Sequence, residues 1–181
     1  MSKLLILSAG VSEDSNNTKL AKKLNKFLNE NAVANEIHEN LYESIPFLLN
    51  NQKDVPKKIL EMRKSLESAD KIIIFSPVYN GGFLAHLKNT LDWLSLAYDE
   101  NRYNSLFKDK TVGVITSVRG GGGNAQNAFN ILSAQLMNYG LRVFEEFHLI
   151  TNKEHQKDTS IEENQKVFEN ITDYVNRFLE F

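Results

Sequence analysis

The sequence predicts a doubly wound α/β fold, in which helices cover both faces of a parallel sheet. Short, continuous apolar runs alternate along all 181 residues with segments whose apolar residues recur at helical spacing. Continuously apolar strands are typical of parallel sheets that are buried on both faces. Right-handed crossovers then restrict the strands to a doubly wound arrangement. We therefore expect a single domain over residues 1–181, long enough to bury a core of its own.

Five segments have the composition of strands, namely Leu4–Leu7, Ala34–Leu41, Ile72–Phe75, Thr111–Ser117 and Leu141–Phe147. The second has few apolar residues among polar neighbours, which indicates a more exposed strand than the others. A helical pattern follows each strand. In chain order the apolar faces comprise Leu20, Leu24, Phe27 and Leu28; Ile59, Met62, Leu66 and Ala69; Leu84, Leu87, Leu91 and Leu94; Ala125, Ala128, Phe129, Leu132 and Leu136; and Ile161, Phe168, Ile171, Val175 and Phe178.

Signals at the helix ends support these boundaries. Pro56 suits the first turn of the second helix, and Gly140 is the C-terminal glycine of the fourth. Ser160 and Glu163 have the spacing of a capping box for the last helix. For five such strands the leading topology is the flavodoxin-like order 2-1-3-4-5, which places a ligand at the carboxyl ends of strands 1, 3 and 4.

The composition excludes several functions. A net charge of −2 leaves no basic face for nucleic acid or an anionic membrane, and the lack of Cys excludes disulfides, thiolate metal sites and a cysteine nucleophile. The first apolar run is too short for a signal peptide, and no run approaches a membrane span, so we expect a cytoplasmic protein. His38, His86, His148 and His155 lack the spacing of a metal site.

Three loops rich in Gly, Ser and Asn fall at the predicted ligand edge, at Ser8–Thr18, Ser76–Gly82 and Ser117–Asn124. The first leads into a helix N-terminus, where hydroxyl and amide groups bind phosphate. Its candidates are Ser8, Gly10, Ser15, Asn17 and Thr18. The alternative is that Ser15 or a neighbouring Asn only caps the helix. Without a P-loop lysine, nucleotide hydrolysis is not expected.

The second loop is the most informative of the three. Gly81 allows the backbone to approach a ligand closely, Asn80 can donate and accept, and Tyr79 can stack on a flat ring. Pro77 and Val78 complete this candidate segment. An ordinary Asn-Gly turn beside a core tyrosine is the alternative.

Four consecutive glycines in the third loop can present several N–H donors to one edge of a heterocycle. Its candidates are Ser117, Arg119, Gly120 and Gly121, and a flexible surface loop is the alternative. Because G-x-G-x-x-G is not satisfied here, a Rossmann dinucleotide site is disfavoured.

The segment SPVYNGGFLAHLKNTLDWLS resembles the signature of the NADPH-dependent FMN reductase family, S-P-x-Y-N-x-x-x-x-x-x-L-K-N-x-x-D-W-L-S. The matching residues are Ser76, Pro77, Tyr79, Asn80, Leu87, Lys88, Asn89, Asp92, Trp93, Leu94 and Ser95. The first loop is similar to the family's S-x-N-x-x-L through Ser15, Asn17 and Leu20, and the resemblance extends over about residues 3–149.

This resemblance implies a flavodoxin-like fold that binds FMN. It assigns the FMN phosphate to Ser15, Asn17 and Thr18. The isoalloxazine and its N5 edge would lie along Pro77, Tyr79, Asn80 and Gly81, and the pyrimidine side would meet Ser117, Gly120 and Gly121. Arg119 would contact either the flavin edge or a phosphate of the pyridine nucleotide, unless it is simply solvated. Family members often carry Arg where this chain has Ser12, which is followed by Glu13 and Asp14, so the phosphate site is less cationic.

The expected function is an FMN-dependent oxidoreductase. NADPH or NADH would pass hydride to FMN N5, and the electrons would go on to a quinone, azo compound, metal oxyanion or free flavin. No side chain is assigned as acid or base. The alternatives are a flavodoxin-type electron carrier, which the small net charge does not favour, and a non-catalytic FMN-binding sensor. The resemblance also implies a homodimer or homotetramer built through the helix near Lys88–Ser95.

Overall fold

The computed structural model describes residues 3–49, 54–97, 102–151, 153–154 and 160–181. These residues contain one parallel sheet of five strands. The strands are β1 (Leu4–Ser8), β2 (Asn35–His38), β3 (Lys71–Phe75), β4 (Thr111–Ser117) and β5 (Arg142–Ile150). Their order in the sheet is β2-β1-β3-β4-β5. The predicted fold class and strand order are therefore confirmed.

Helices cover both faces of this sheet. They are α1 (Asn16–Glu30), α2 (Lys57–Ser68), α3 (Ala85–Ser95), α4 (Ala125–Asn138) and α5 (Gln165–Glu180). Among the described residues, no helix is both long and apolar enough to span a bilayer.

The core is divided into two apolar clusters by the alternation of side chains along the strands. In β1, Leu5 and Leu7 belong to the cluster under α2, α3 and α4, whereas Leu4 and Ile6 belong to the cluster under α1 and α5. Burial on both faces explains why this strand is continuously apolar.

Two strand ends differ from the sequence prediction by more than one residue. β2 is confined to Asn35–His38 and does not reach Leu41, because Asn40 adopts a left-handed φ of 53° and its carbonyl accepts from the Glu43 N–H in a turn. β5 continues past Phe147 to Ile150, since its last residues still pair with the end of β4.

The helix ends confirm one prediction and correct two. Gly140, at φ 92°, follows α4, and hydrogen bonds from Gly140 N and Leu141 N close the helix end. The capping-box prediction is wrong. Ser160 precedes only a 3₁₀ turn and makes no side-chain cap, and α5 instead begins after the extended Asn164, whose Oδ1 accepts from Val167 N at 3.2 Å. Pro56 is the N-cap of α2 and not a residue of its first turn.

A bulge interrupts the pairing of β4 with β5, because the register shifts between Val112 and Val114. The Val114 N–H donates instead to the hydroxyl of Tyr174 on α5, at 2.9 Å. A Cβ at Gly113 would lie only 2.7 Å from that hydroxyl oxygen. The lack of a side chain at Gly113 therefore leaves space for the Tyr174 hydroxyl to reach the backbone of β4.

Candidate functional site

A cavity of about 550 Å³ lies where the loops after β1, β3 and β4 meet, within the size range of small-molecule and cofactor sites. All three loops that the sequence singles out contribute to it. The described lining residues are Val11, Ser12, Ser15, Asn16, Asn17, Pro77, Val78, Tyr79, Asn80, Gly81, Ser117, Val118, Arg119, Gly120, Gly122, Gly123, Asn124 and Ala125.

The first loop packs hydroxyl groups closely at the start of α1. Ser15 is the N-cap, and its Oγ accepts from Thr18 N at 3.2 Å and lies 2.8 Å from Thr18 Oγ1. Ser8 Oγ is 3.3 Å from the same Thr18 oxygen. A Cβ at Gly10 would lie 2.0 Å from Thr18 Oγ1 and 2.1 Å from Ser15 Oγ. Only glycine fits over this hydroxyl cluster, so the loop backbone stays close to the helix N-terminus.

Asn17 ties the first loop to the third. Its Nδ2 donates to the Ser117 carbonyl at 2.9 Å, and its Oδ1 accepts from the Ser117 N–H at 3.0 Å. The side chain is only 2% exposed. Because both ends of the amide bind one backbone residue, Asn17 fixes the start of α1 against the end of β4.

The second loop is a tight two-residue turn. Tyr79 and Gly82 exchange both backbone hydrogen bonds at 3.0 Å, and Asn80 and Gly81 have φ values of 52° and 76°. Two left-handed residues in succession define a type I′ turn, for which Asn-Gly is the preferred pair. In the described parts of the chain, the N–H groups of Asn80 and Gly81 have no partner. The turn thus leaves two donors available at the cavity.

Side chains from α4 and from the turn itself complete this wall. Asn127 Nδ2 donates to the Gly81 carbonyl at 3.0 Å and so holds the turn against α4. The Tyr79 ring is 55% exposed beside the cavity, which contradicts the alternative of a core tyrosine. A stacking surface is therefore available there.

The glycine run of the third loop is open on its outer side. A Cβ at Gly120 or Gly121 would meet no atom within 4 Å, whereas one at Gly122 would lie 2.9 Å from Leu149 Cδ2. Arg119 is exposed beside this run. The loop packs closely against Leu149 of β5 at Gly122, whereas the backbone at Gly120 and Gly121 is uncovered.

The structure brings most of the predicted site residues to the cavity wall, but Ser8, Gly10 and Thr18 lie beneath it and Gly121 lies outside the lining. Burial in the hydroxyl cluster accounts for the first three. Sequence reasoning missed some lining residues that carry no motif of their own, namely Val11, Asn16, Val118 and Asn124. The only sign of them in the sequence was that they fall inside the three predicted loops.

The histidines that the structure describes occupy separate places, while His155 lies outside the described residues. His86 Nε2 donates to the Ala9 carbonyl at 3.0 Å, and burial lowers the pKa of this imidazole. His38 Nε2 is 2.8 Å from Ser65 Oγ, and His148 Nε2 is buried without a partner in the described chain. No group of three candidate metal ligands occurs among the described residues.

Most of the predicted oligomer segment is buried inside the chain. Trp93 is 1% exposed, and its Nε1–H donates to the Pro46 carbonyl at 2.8 Å. Asn89 donates to the same carbonyl and accepts from Leu48 N at 2.9 Å. Lys88 and Asp92 form a local ion pair on the helix surface. The segment thus holds the loop after β2 in place.

Comparison with known proteins places this site in context. The curated FMN-dependent NADH:quinone oxidoreductase 6 of Burkholderia lata is 43% identical over 61 residues, which span 31% of this chain and only 30% of that protein. The solved structure of the FerB flavoenzyme NAD(P)H:(acceptor) oxidoreductase from Paracoccus denitrificans has a TM-score of 0.77 at 22% identity, with 99% of this chain and 96% of the other covered.

The NAD(P)H:quinone oxidoreductase of Methanothermobacter marburgensis has a TM-score of 0.71 at 17% identity, over 99% of this chain and 96% of that one. At these identities the solved structures support the fold alone. The sequence profile of NADPH-dependent FMN reductases matches residues 2–155, which is most of the chain and confirms the resemblance of its signature segment. The prediction of FMN with a nicotinamide donor is confirmed for this group of proteins, and the chain belongs to the NADPH-dependent FMN reductase family.

Proposed function

We propose that this protein is an FMN-dependent NAD(P)H oxidoreductase that delivers electrons to a small-molecule acceptor. The observation that carries the proposal is a single cavity with a hydroxyl-rich helix N-terminus in its wall and the open N–H groups of Asn80 and Gly81 in the same wall. A phosphate suits the first feature, and a heterocycle edge suits the second.

The residues present fit FMN. The phosphate would be held by Ser12, Ser15 and Asn16 at the N-terminus of α1, where the helix dipole favours an anion. Gly10 has no side chain, and a Cβ there would overlap the hydroxyl oxygens of Ser15 and Thr18. The glycine therefore allows both hydroxyls to lie beneath the phosphate position. Asn17 acts indirectly, because its amide is already bound to Ser117.

The isoalloxazine would lie between the second and third loops. The turn at Asn80 and Gly81 would supply N–H donors to its edge, and the uncovered backbone at Gly120 would face its pyrimidine side. Bound FMN would supply the chemistry of hydride and electron transfer between a nicotinamide and an acceptor. The protein's own contribution is to bind, orient and tune the flavin through these donors, without a side chain acting as acid or base.

The proposed class of electron acceptor is based on the names of the similar proteins. The Burkholderia protein is named for a quinone and the Paracoccus enzyme for an unspecified acceptor. We propose a quinone as the acceptor to test first, followed by an azo compound, a metal oxyanion and free flavin.

Two measurements test the function. The purified protein should show flavin absorption bands or acquire them with added FMN, and should then oxidise NADPH or NADH in the presence of a quinone. FMN binding without any such oxidation would contradict the reductase and favour an electron carrier or sensor. Protein that cannot be reconstituted with FMN would contradict all three functions.

We also propose that the protein forms a homo-oligomer beside α3. The loop that Asn89 and Trp93 hold presents Phe47 and Leu49 to solvent, with side chains 71% and 68% exposed. Large apolar side chains side by side on a surface favour a protein contact. The ion pair of Lys88 and Asp92 lies on the same helix and supplies a polar rim.

A further inference from the structure

We propose that Arg119 binds a phosphate of the nicotinamide dinucleotide and thereby makes NAD(P)H, not a small neutral hydride donor, the preferred reductant. This inference rests on the proposed function, because it takes the cavity as the FMN site. It concerns the nicotinamide dinucleotide, which would be the second ligand of the cavity after FMN.

The first argument is the charge of the cavity. Among its described lining residues, Arg119 is the only one that carries a formal charge at neutral pH. The remaining lining consists of hydroxyl, amide, aliphatic, aromatic and glycine residues. A lone guanidinium in an otherwise neutral wall attracts an anion without a competing carboxylate in the same wall.

The second argument is that Arg119 is available. Its side chain is exposed, and in the part of the chain that the structure describes it makes no hydrogen bond, ion pair or ring contact. All five guanidinium donors can therefore serve a ligand, and their planar fork matches phosphate oxygens. A surface arginine with an internal structural role would have a partner within the chain.

The third argument separates the dinucleotide from FMN. The FMN phosphate is already provided for by the Ser15 cap and the N-terminus of α1. The link from α1 to the third loop ends at the buried Ser117, whereas Arg119 lies two residues further on, in the exposed part of the loop. An exposed cation beside the cavity can bind a ligand that arrives after FMN is in place.

The neighbouring glycines leave room for such a ligand. A Cβ at Gly120 or Gly121 would meet nothing within 4 Å, so packing within the chain does not require glycine there. The absence of side chains lets an extended molecule lie along the backbone. Tyr79, exposed in the wall of the same cavity, offers an aromatic surface for its flat part.

Equilibrium binding to the FMN-loaded protein gives the first test, with NADP⁺ and NAD⁺ as probes because neither transfers hydride. We expect Arg119→Gln to raise both dissociation constants about tenfold, as the loss of a charge-assisted hydrogen bond does. Arg119→Lys should rescue part of this loss, since it keeps the charge without the fork. Lys64→Gln, which removes an exposed charge on α2, should have no effect.

A larger loss for NADP⁺ than for NAD⁺ would assign Arg119 to the 2′-phosphate, and an equal loss would assign it to the shared pyrophosphate. Titration of FMN into each apoprotein, followed by flavin fluorescence, should give unchanged affinity. An FMN affinity that falls as much as the NADP⁺ affinity would overturn the proposal and assign Arg119 to the flavin.

Turnover gives an independent test, with ferricyanide as acceptor and two ferricyanide ions reduced per donor. Arg119→Gln should raise KM for NADPH about tenfold, while kcat/KM for the uncharged donor 1-benzyl-1,4-dihydronicotinamide stays at the wild-type value. Equal losses for both donors, or no loss for either, would overturn the proposal. A wild-type holoprotein that binds neither nucleotide would instead overturn the proposed function itself.

Discussion

At the scale of single residues, Gly10 makes the sharpest steric demand in the site. We predict that Gly10→Ala weakens FMN binding at least about tenfold, because the new Cβ would overlap the hydroxyl oxygens of Ser15 and Thr18 and displace them from the helix N-terminus. Fluorescence titration of the apoprotein with FMN measures this change. Wild-type affinity in the variant would contradict the assignment of the first loop to the phosphate.

A second glycine serves as the control for folding. Gly121→Ala places its Cβ in open space, so its free energy of unfolding should stay within about 0.5 kcal/mol of wild type. Equal losses of stability in the two alanine variants would attribute the weaker FMN binding of Gly10→Ala to the loss of a glycine as such. The overlap with the Ser15 and Thr18 hydroxyls would then not be its cause.

Asn17 illustrates what the sequence alone could and could not predict at this scale. The S-x-N spacing predicted Ser15 and Asn17 as ligand-binding residues, and both line the cavity. It could not show that Ser117, one hundred residues away, binds both ends of the Asn17 amide. Such a contact depends on the register of α1 against β4. For the same reason the sequence could not show that Ser8, the last residue of β1, and Thr18, in the first turn of α1, lie beneath the wall and not in it.

We predict that Asn17→Ala lowers the free energy of unfolding by about 1 to 3 kcal/mol, since it leaves the buried N–H and C=O of Ser117 without these partners. Urea denaturation of the apoprotein measures the loss. Asn130→Ala, which removes an exposed partner of Gln126 on α4, should change stability by less than about 0.5 kcal/mol. Comparable losses in the two variants would contradict a specific role for Asn17.

At the scale of elements, the apolar runs predicted which segments form strands, and the helical spacing predicted the five α-helices of the described residues. The boundaries were less accurate where short polar residues decide them. Asn40 ends β2 early through a left-handed turn, and Asn164, not Ser160, begins α5. Both are asparagines, and each acts differently: Asn40 adopts the left-handed φ that asparagine tolerates, whereas the Asn164 side chain accepts from a backbone N–H of α5.

The interruption of the β4–β5 ladder was not predictable either, because it depends on the insertion of a side chain from α5. We predict that Tyr174→Phe lowers the free energy of unfolding by about 1 to 2 kcal/mol, since the buried Val114 N–H loses its acceptor while the ring packing is kept. Burial also raises the pKa of this hydroxyl, so it stays neutral as it accepts from the Val114 N–H.

Denaturant melts of wild type and variant measure that difference. Tyr42→Phe is the matched control, because its hydroxyl donates to Asn40 at the surface and has no buried partner among the described residues. A Tyr174→Phe variant as stable as the Tyr42 control would show that the bulge does not need the tyrosine.

At the scale of the whole molecule, the family signature divides into two parts with different roles. Residues Pro77–Gly81 line the cavity, whereas Asn89 and Trp93 fix the loop that carries Phe47 and Leu49. The sequence predicted an oligomer contact on α3 itself, but of Lys88–Ser95 only Lys88 and Asp92 reach the surface. The loop that α3 holds therefore supplies the apolar part of the proposed contact.

We predict that the double substitution of Phe47→Glu and Leu49→Glu converts the oligomer into a monomer, because like charges would face each other across a self-contact. Light scattering coupled to gel filtration measures the mass. Leu60→Glu, which changes an exposed leucine on α2, should leave the mass unchanged. A wild-type protein that is monomeric, or a double variant that keeps its oligomeric mass, would show that this loop is not the interface.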